Sequence, residues 1–205
     1  MNTFHYQYKH KNVYLVPYDF SPSPPHWYFD PEVTKFNSWG TFTLSPETET
    51  QALKEAISGR KMIMWKIYYR EEQEDSDDEL KVMDKFKWIG NVSIQSLDWV
   101  NSSAEFAILI GEKDYWGKGV ASSALFLCMQ HVFSKLGLYR FWSGTSEFNK
   151  GMQKVFSKFH WSKEGTFRQA KIVQGDYTDI YEYSHLRHEY EMFVNGLLYN
   201  TMSGE

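Results

Sequence analysis

The segment 110–124 (IGEKDYWGKGVASSA) combines residue types that bind phosphate groups. An apolar strand runs into a glycine-containing turn, and a helix that begins with small residues follows. The first N–H groups of a helix lack partners within it, and the helix dipole adds partial positive charge there. Gly117 and Gly119 let the chain bend and let a phosphate approach the backbone, and Lys118 adds a charge. The pattern predicts a phosphate or pyrophosphate site; a glycine turn that binds nothing is the alternative.

Two common phosphate-binding motifs do not fit this segment. A P-loop requires G-x-x-x-x-G-K-[ST], but five residues separate Gly111 from Gly117, and Gly119 stands where Ser or Thr would bind magnesium. A dinucleotide fingerprint, G-x-G-x-x-G, would need glycine at the position of Ser122. The P-loop NTPase and dinucleotide-binding classes are therefore excluded.

Glu105 is an acid inside the apolar run that precedes the turn (AEFAILI). It could be a carboxylate at the edge of the structure that pairs with a neighbour. It could also be a general base that takes a proton, through water, from an incoming ammonium group. The residues alone leave both interpretations open.

The histidines and the cysteine do not suggest a metal or thiol site. His185 and His188 do not form H-E-x-x-H, and on one strand their rings would point to opposite faces, so we expect surface positions for them. The single cysteine, Cys128, lies among apolar residues of a helix and is expected in the core. The acidic run 71–79 (EEQEDSDDE) is either a solvated hairpin loop or a cation-binding segment.

Alternating strands and helices must position these residues. Period-two and β-rich runs predict strands at 13–18, 62–69, 86–96, 104–110, 139–145, 161–169 and 177–190. Capping and periodicity predict helices at 46–58, which Ser45 would cap, at 120–136 and at 150–159. The alternation predicts one α/β domain over residues 1–205, with a mixed, twisted sheet and helices on both of its faces.

Composition narrows the function classes further. A net charge of -4 gives no general attraction to nucleic acid or to anionic membranes. The N-terminal segment 1–12 lacks the apolar core of a signal peptide, and no apolar run is long enough to span a bilayer. A single cysteine fits a reducing compartment. We therefore expect a cytoplasmic protein without nucleic-acid or membrane partners.

The glycine-rich segment resembles the acetyl-CoA-binding motif of GNAT acetyltransferases, [QR]-x-x-G-x-[GA]. Gly119, Val120 and Ala121 match its G-x-[GA] end, and Trp116 occupies the [QR] position. The resemblance is closest to the branch with ribosomal-protein-alanine and spermidine acetyltransferases. It continues in NKGMQKVFSKFHW, in EGTFR, in GDYTD and, upstream, in DPEVT, so that it covers about residues 13–190.

Three positions depart from the family pattern. Met152 stands where the family has Ser, His160 where it has Gly, and Phe156 where many members have a Tyr that acts as general acid. The group that would protonate the leaving thiolate is therefore not visible in the sequence.

The resemblance implies a GNAT fold in which two central strands splay apart to receive acetyl-pantetheine, without a metal ion. It implies that Glu105 is the general base. It also implies that the backbone of the strand before the glycine turn, from Phe106 to Ile110, pairs with pantetheine. The residues expected to bind the cofactor are Phe106, Ala107, Ile108, Leu109, Ile110, Trp116, Gly117, Lys118, Gly119, Val120, Ala121, Ser122 and Asn149. In this branch the early helical segment forms one wall of the acceptor pocket, which makes Trp27 to Phe29 candidates for that wall.

The function predicted from the sequence is acetyl transfer from acetyl-CoA to a primary amine of a small molecule, such as a polyamine or amino sugar. A homodimer is compatible with this function. Two alternatives remain open: a protein N-terminal acetyltransferase of the ribosomal-protein type, and a non-catalytic acyl-CoA-binding protein.

Overall fold

The computed structural model describes residues 5–21, 26–36, 46–71 and 85–203. The strands are β1 Tyr8–His10, β2 Val13–Pro17, β3 Ile63–Arg70, β4 Phe86–Asp98, β5 Ser103–Ile110, β6 Arg140–Ser146, β7 Ser162–Val173 and β8 Asp176–Leu186. The α-helices are α1 Pro31–Thr34, α2 Pro46–Ser58, α3 Val120–Gln130, α4 Lys150–Lys158 and α5 Arg187–Ser203. Short 3-10 helices span His26–Phe29 and Lys113–Tyr115, and the π-helical turn His131–Lys135 extends α3.

These strands form one eight-stranded sheet in the order β1-β2-β3-β4-β5-β6-β8-β7. Neighbouring strands are antiparallel except β5 and β6, which are parallel. A parallel pair needs a long crossover connection, and α3 provides it. The predicted α/β fold with a mixed sheet is confirmed.

Helical segments cover both faces of the sheet, as predicted. On one face, Phe106 of β5 and Phe141 of β6 are buried in a core that contains residues of α3 and α4, with ring centroids 5.8 Å apart. Cys128 of α3 is buried in the same core, which confirms its predicted position. On the other face, the hydroxyl of Tyr28 in the first 3-10 helix accepts a hydrogen bond from Asn91 Nδ2 of β4, at 2.8 Å.

The predicted final strand was too long. It was expected to reach Tyr190, but β8 ends at Leu186 and α5 begins at the next residue. The Glu189 carboxylate accepts the N–H of Leu186 at 2.7 Å, which is the carboxylate half of a capping box. The Tyr190 ring then stacks on Phe133, 5.0 Å between centroids. The sequence pattern did not reveal this helix start because Tyr190 is buried in either structure. A continued strand would bury it through its alternation, and the first turn of α5 buries it as well.

The predicted surface position of His185 was also wrong. Its side chain is 0 % exposed, and its ring stacks on Trp161 at 6.1 Å. Removal from water lowers the pKa of His185, so the ring is neutral at pH 7. Within the described residues, no group of three or more His, Cys, Asp and Glu side chains is arranged to hold a metal ion.

None of the helices among the described residues is long and apolar enough to cross a membrane. The acidic run 71–79 lies outside the described residues except for Glu71, and so does Ser45 before α2.

Helix α4 ends in a Schellman motif in which His160 takes the position usually held by glycine. The His160 N–H donates to the Ser157 carbonyl at 3.0 Å, and the Trp161 N–H donates to the Phe156 carbonyl at 3.0 Å. The rings of Phe156 and Trp161 stack at 4.9 Å, which is the apolar contact typical of the motif. His160 has φ 56°, in the left-handed region.

We expect His160→Gly to stabilise the protein by about 0.5–1 kcal/mol, because glycine adopts this backbone conformation without steric cost. That corresponds to a rise in Tm of roughly 2 °C for a chain of this size. Lys154→Gly is the matched control: Lys154 is exposed inside the same helix, where glycine should destabilise by about 1 kcal/mol. Thermal unfolding of the three proteins tests the difference in sign, and a lower Tm for His160→Gly would contradict it.

Candidate active site

Strands β5 and β6 separate partway along their length. Their parallel ladder contains three pairs, the last of which joins Glu105 to Trp142. Strand β5 nevertheless continues to Ile110 and β6 to Ser146. Beyond Glu105, β5 therefore has an edge that β6 does not pair with. The splay expected of the central strands is present.

The backbone of Ile108 faces this gap. The Gly111 N–H donates to the Ile89 carbonyl of β4 at 2.9 Å, and this register continues along β5. Because hydrogen bonding alternates along an antiparallel pair, the backbone groups of Ala107 and Leu109 point toward β4. Those of Ile108, between them, point to the opposite side. Of the predicted stretch 106–110, alternate residues alone can therefore pair with a ligand in the gap.

At each end of the gap, a side chain donates a hydrogen bond to a backbone carbonyl of β5. The Ser143 hydroxyl of β6 donates to the Phe106 carbonyl at 2.9 Å. The indole Nε1 of Trp116 donates to the Ile110 carbonyl at 2.9 Å. Ile108 lies between these two contacts. The predicted residue Trp116 thus holds the glycine turn against the end of β5.

The glycine turn presents uncovered backbone at the start of α3. Gly117 and Gly119 have φ of 76° and 77°, and a Cβ atom added at either would meet nothing within 4 Å. Gly119 is the N-cap of α3, and no side chain caps the helix there. The first intrahelical bond runs from the Ser123 N–H to the Gly119 carbonyl. The N–H groups of the three residues between them, 120–122, thus lie at an open helix start that can receive an anion.

Lys118 is supported by an aromatic ring. Its Nζ lies 4.8 Å from the ring centroid of the buried Tyr115. The Tyr115 hydroxyl donates to Glu71 Oε1 at 2.6 Å. Burial and this hydrogen bond raise the pKa of Tyr115 to about 12, so the phenol stays protonated. The neutral Tyr115 ring thus makes a cation–π contact with Lys118, which keeps the ammonium group beside the glycine turn.

The early aromatic segment anchors the chain just before the turn. A Cβ atom at Gly111 would overlap the Trp27 indole, so this glycine is required for packing against that ring. Trp27 Nε1 donates to Glu112 Oε1 at 2.8 Å. Lys113 Nζ pairs with Asp30 Oδ2, the N-cap of α1, at 2.9 Å. The segment 27–29 was predicted as a pocket wall. In the structure, Trp27 of this segment holds the residues that lead into the glycine turn in place.

Helix α4 places its predicted residues in structural roles. Asn149 Oδ1 accepts the Met152 N–H at 3.1 Å and caps the helix, so a cofactor contact by Asn149 would have to use its amide nitrogen. Phe156 is 0 % exposed and stacks between Trp161 and Tyr183, 4.9 Å from each centroid. Its position in the core accounts for an apolar ring at the place where the family pattern often has Tyr.

Glu105 lies on the sheet face opposite this core. It is half-buried, and its Oε2 accepts a hydrogen bond from Ser96 Oγ at 2.8 Å. Paired residues of neighbouring strands share a face, so Glu105 shares its face with Trp142 and Ser184. The carboxylate therefore lies beside the point at which the gap opens.

A groove on the same face contains a strong ion pair. Arg140 and Glu164 form two parallel hydrogen bonds, of 2.7 and 2.5 Å, and Ser184 Oγ donates to Glu164 Oε1 at 2.7 Å. The guanidinium, followed by this hydroxyl, lowers the pKa of Glu164 to about 2. The groove has a volume of about 620 Å³. It is lined by Arg140, Trp142, Glu164, Gly165, Phe167 and Glu182.

A diverging parallel pair beside a glycine turn at a helix start is the arrangement that the sequence resemblance implied. A family model described as "Acetyltransferase (GNAT) domain" matches residues 14–162. The protein belongs to the GNAT acetyltransferase family.

The GNAT proteins that this chain is similar to include two that are named for different acceptor substrates. An uncharacterized N-acetyltransferase, p20, of Bacillus licheniformis is 27 % identical over 164 residues, 80 % of this chain and 85 % of the relative. The structure of spermidine N-acetyltransferase from Vibrio cholerae, in complex with CoA and spermine, has a TM-score of 0.70 and 16 % identity, covering 88 % of this chain and 99 % of that one. RimL, a ribosomal L7/L12 α-N-protein acetyltransferase in complex with coenzyme A, has a TM-score of 0.66 and 19 % identity, covering 86 % and 95 %.

GNAT acetyltransferases use acetyl-CoA, and the residues of this chain fit it. The open helix start and the two glycines free of neighbouring atoms suit a pyrophosphate. The unpaired side of β5 at Ile108 suits the amide groups of pantetheine.

Several residues that line the candidate site were not predicted by the sequence analysis. Ser143, Gly144, Glu182 and the pair of Arg140 with Glu164 lie on strands whose neighbours could not be assigned from the sequence. Gly144 gave one usable signal, since a single glycine inside a strand often marks a close approach.

Proposed function

We propose that this protein transfers the acetyl group of acetyl-CoA directly to a primary amine of a small molecule. The observation that carries the proposal is the charge of the sheet face with Glu105, Trp142 and Ser184, which we call the acceptor face. Glu164 is neutralised by Arg140, but Glu105 and Glu182 form no ion pair within the described part of the chain. Glu182 lines the groove and Glu105 lies on the same face beside the gap, so this face attracts cationic acceptors and can hold an ammonium group next to the gap.

Each step is assigned to residues of the glycine turn 117–119, the start of α3 or the gap between β5 and β6. The N–H groups of Val120, Ala121 and Ser122 hold the pyrophosphate, and Lys118 adds a positive charge. Acetyl-CoA supplies the acetyl group as a thioester. The Ile108 backbone aligns pantetheine and polarises the thioester carbonyl.

Glu105 accepts a proton from the acceptor ammonium through water, which leaves a neutral amine. The amine nitrogen bonds to the carbonyl carbon, the C–S bond breaks, and CoA leaves as the thiolate. The nitrogen then releases its remaining extra proton, which the thiolate or solvent takes up, and the neutral amide is left. A thiol has a pKa of about 8.5 in the cysteine case, so the thiolate is a tolerable leaving group near neutral pH. Phe156 is therefore compatible with turnover although it cannot donate a proton.

Two other functions use the same cofactor site. A protein N-terminal acetyltransferase would need a groove open enough for a polypeptide, and the likeness to RimL favours testing it. A non-catalytic acyl-CoA-binding protein is favoured by the buried phenylalanine at the usual general-acid position.

We expect acetyl transfer to a panel of spermidine, 1,4-diaminobutane, butylamine and glucosamine to exceed transfer to Ala- and Ser-led peptides in kcat/KM. Release of CoA thiol measures the rate, and mass spectrometry identifies the product. Acetylation of the peptides without turnover of any amine would replace the proposal with the N-terminal acetyltransferase. Binding of acetyl-CoA without transfer to amine or peptide would favour the non-catalytic protein.

A further inference from the structure

Glu182 lies on the acceptor face, two residues along the strands from the opening of the gap. The register pairs Trp142 with Ser184 and Gly144 with Glu182. Because alternate residues of a strand share a face, Glu182 is on the same face as Glu105. The carboxylates of Glu105 and Glu182 thus lie on either side of the part of β6 that no longer pairs with β5.

Gly144 lets the Glu182 side chain lie across β6. A Cβ atom at Gly144 would be 3.0 Å from Glu182 Oε2 and 3.1 Å from Ile180 Cγ2. These distances are tighter than ordinary van der Waals contacts, so any larger residue would press on the carboxylate. The absence of a side chain at Gly144 therefore leaves room for the Glu182 carboxylate to lie over β6, on the side of the gap.

The environment of Glu182 suits a cationic ligand. Burial raises the pKa of Glu182, and the charge of Glu105 raises it further, while Arg140 opposes both effects. Arg140 already binds Glu164 through both guanidinium NH₂ groups. A half-buried carboxylate without an ion-pair partner among the described residues gains most from a ligand that brings its own positive charge.

We propose that Glu182 is a specificity-determining residue that binds a second, positively charged group of the acceptor, next to the amine that reacts at the gap. This inference rests on the proposed function. Glu105 serves the reacting amine, and Glu182 serves the group that stays charged. The substrate class is then an amine with another ammonium group in reach, and Gly144 leaves the space in which the Glu182 carboxylate lies.

The test compares 1,4-diaminobutane with butylamine, which has the same chain length and one charge fewer. Wild-type protein should show the higher kcat/KM for the diamine. Glu182→Gln should lower kcat/KM for the diamine by roughly tenfold or more, mainly through KM, because a charge-assisted hydrogen bond is lost. Its kcat/KM for butylamine should stay within about threefold of wild type, and its affinity for acetyl-CoA should not change. Gly144→Ala should shift the same ratio in the same direction.

Asp176→Asn is the matched control for charge. Asp176 is exposed at the start of β8, so its removal changes the net charge equally but should leave the diamine preference intact. Equal effects of Glu182→Gln on both amines, or a wild-type protein that acetylates butylamine or glucosamine but not the diamine, would overturn the inference and leave the proposed function standing. Acetylation of peptides alone would instead overturn the proposed function.

Discussion

Gly119→Val should abolish the stabilisation that acetyl-CoA gives the wild-type protein. A ligand that binds the native state alone stabilises it by RT ln(1 + [L]/Kd), which is about 2.7 kcal/mol at a hundred times Kd. For a chain of this size that is a rise in Tm of roughly 5–10 °C. The loss follows from the structure because Gly119 is the N-cap of α3 with φ 77° and open space at its Cβ position. A valine there would strain the turn and cover the N–H groups that should hold the pyrophosphate.

The control must separate this loss from a general loss of stability. Gly175 has φ 95° and open space at its Cβ position, and it lies between β7 and β8, away from the glycine turn. Gly175→Val should lower the Tm of the free protein to a similar extent but retain the shift with acetyl-CoA. Differential scanning fluorimetry with and without acetyl-CoA, and calorimetric titration of each variant, measure both effects. A full acetyl-CoA shift in Gly119→Val would refute the proposed pyrophosphate site.

Glu105→Gln should lower turnover by about 10²-fold, at the low end of measured general-base contributions. The amide keeps the shape of the side chain and can still interact with Ser96, but it cannot accept the proton of the ammonium. Because Glu105 precedes the unpaired stretch of β5, the affinity for acetyl-CoA should be nearly unchanged. Steady-state kinetics with the best amine and titration with acetyl-CoA together distinguish a catalytic loss from a binding loss.

Ser96→Ala provides the structural comparison for Glu105. It removes the hydrogen bond at 2.8 Å but leaves the carboxylate, so turnover should fall by less than about tenfold. If Glu105→Gln matched wild type in turnover, Glu105 would be removed from the mechanism. If Ser96→Ala lost as much as Glu105→Gln, the orientation of the side chain would matter more than its basicity.

The sequence by itself determined the elements with strong local signals. The glycine turn, the start of α3 and the apolar run of β5 follow from residue types and spacings within about fifteen positions, and they were enough to reveal the family resemblance. Local signals also fixed α2 up to Ser58 and α4 from Lys150. They failed at the end of β8, where an alternating pattern continued across a helix start that depends on the contact of Glu189 with the Leu186 N–H.

The tertiary structure decided which residues share the site. Glu105, Gly144 and Glu182 belong to three strands, and they come to one face because of the register between those strands. Register depends on the packing of whole strands against the core, and a shift of one residue would turn Glu182 to the opposite face. The sequence showed that Phe156 stands where the family pattern has Tyr. It could not show that Phe156 is buried between Trp161 and Tyr183, because this burial also depends on the packing of distant segments. Residue identity is a local property, whereas burial and adjacency are set by contacts between distant parts of the chain.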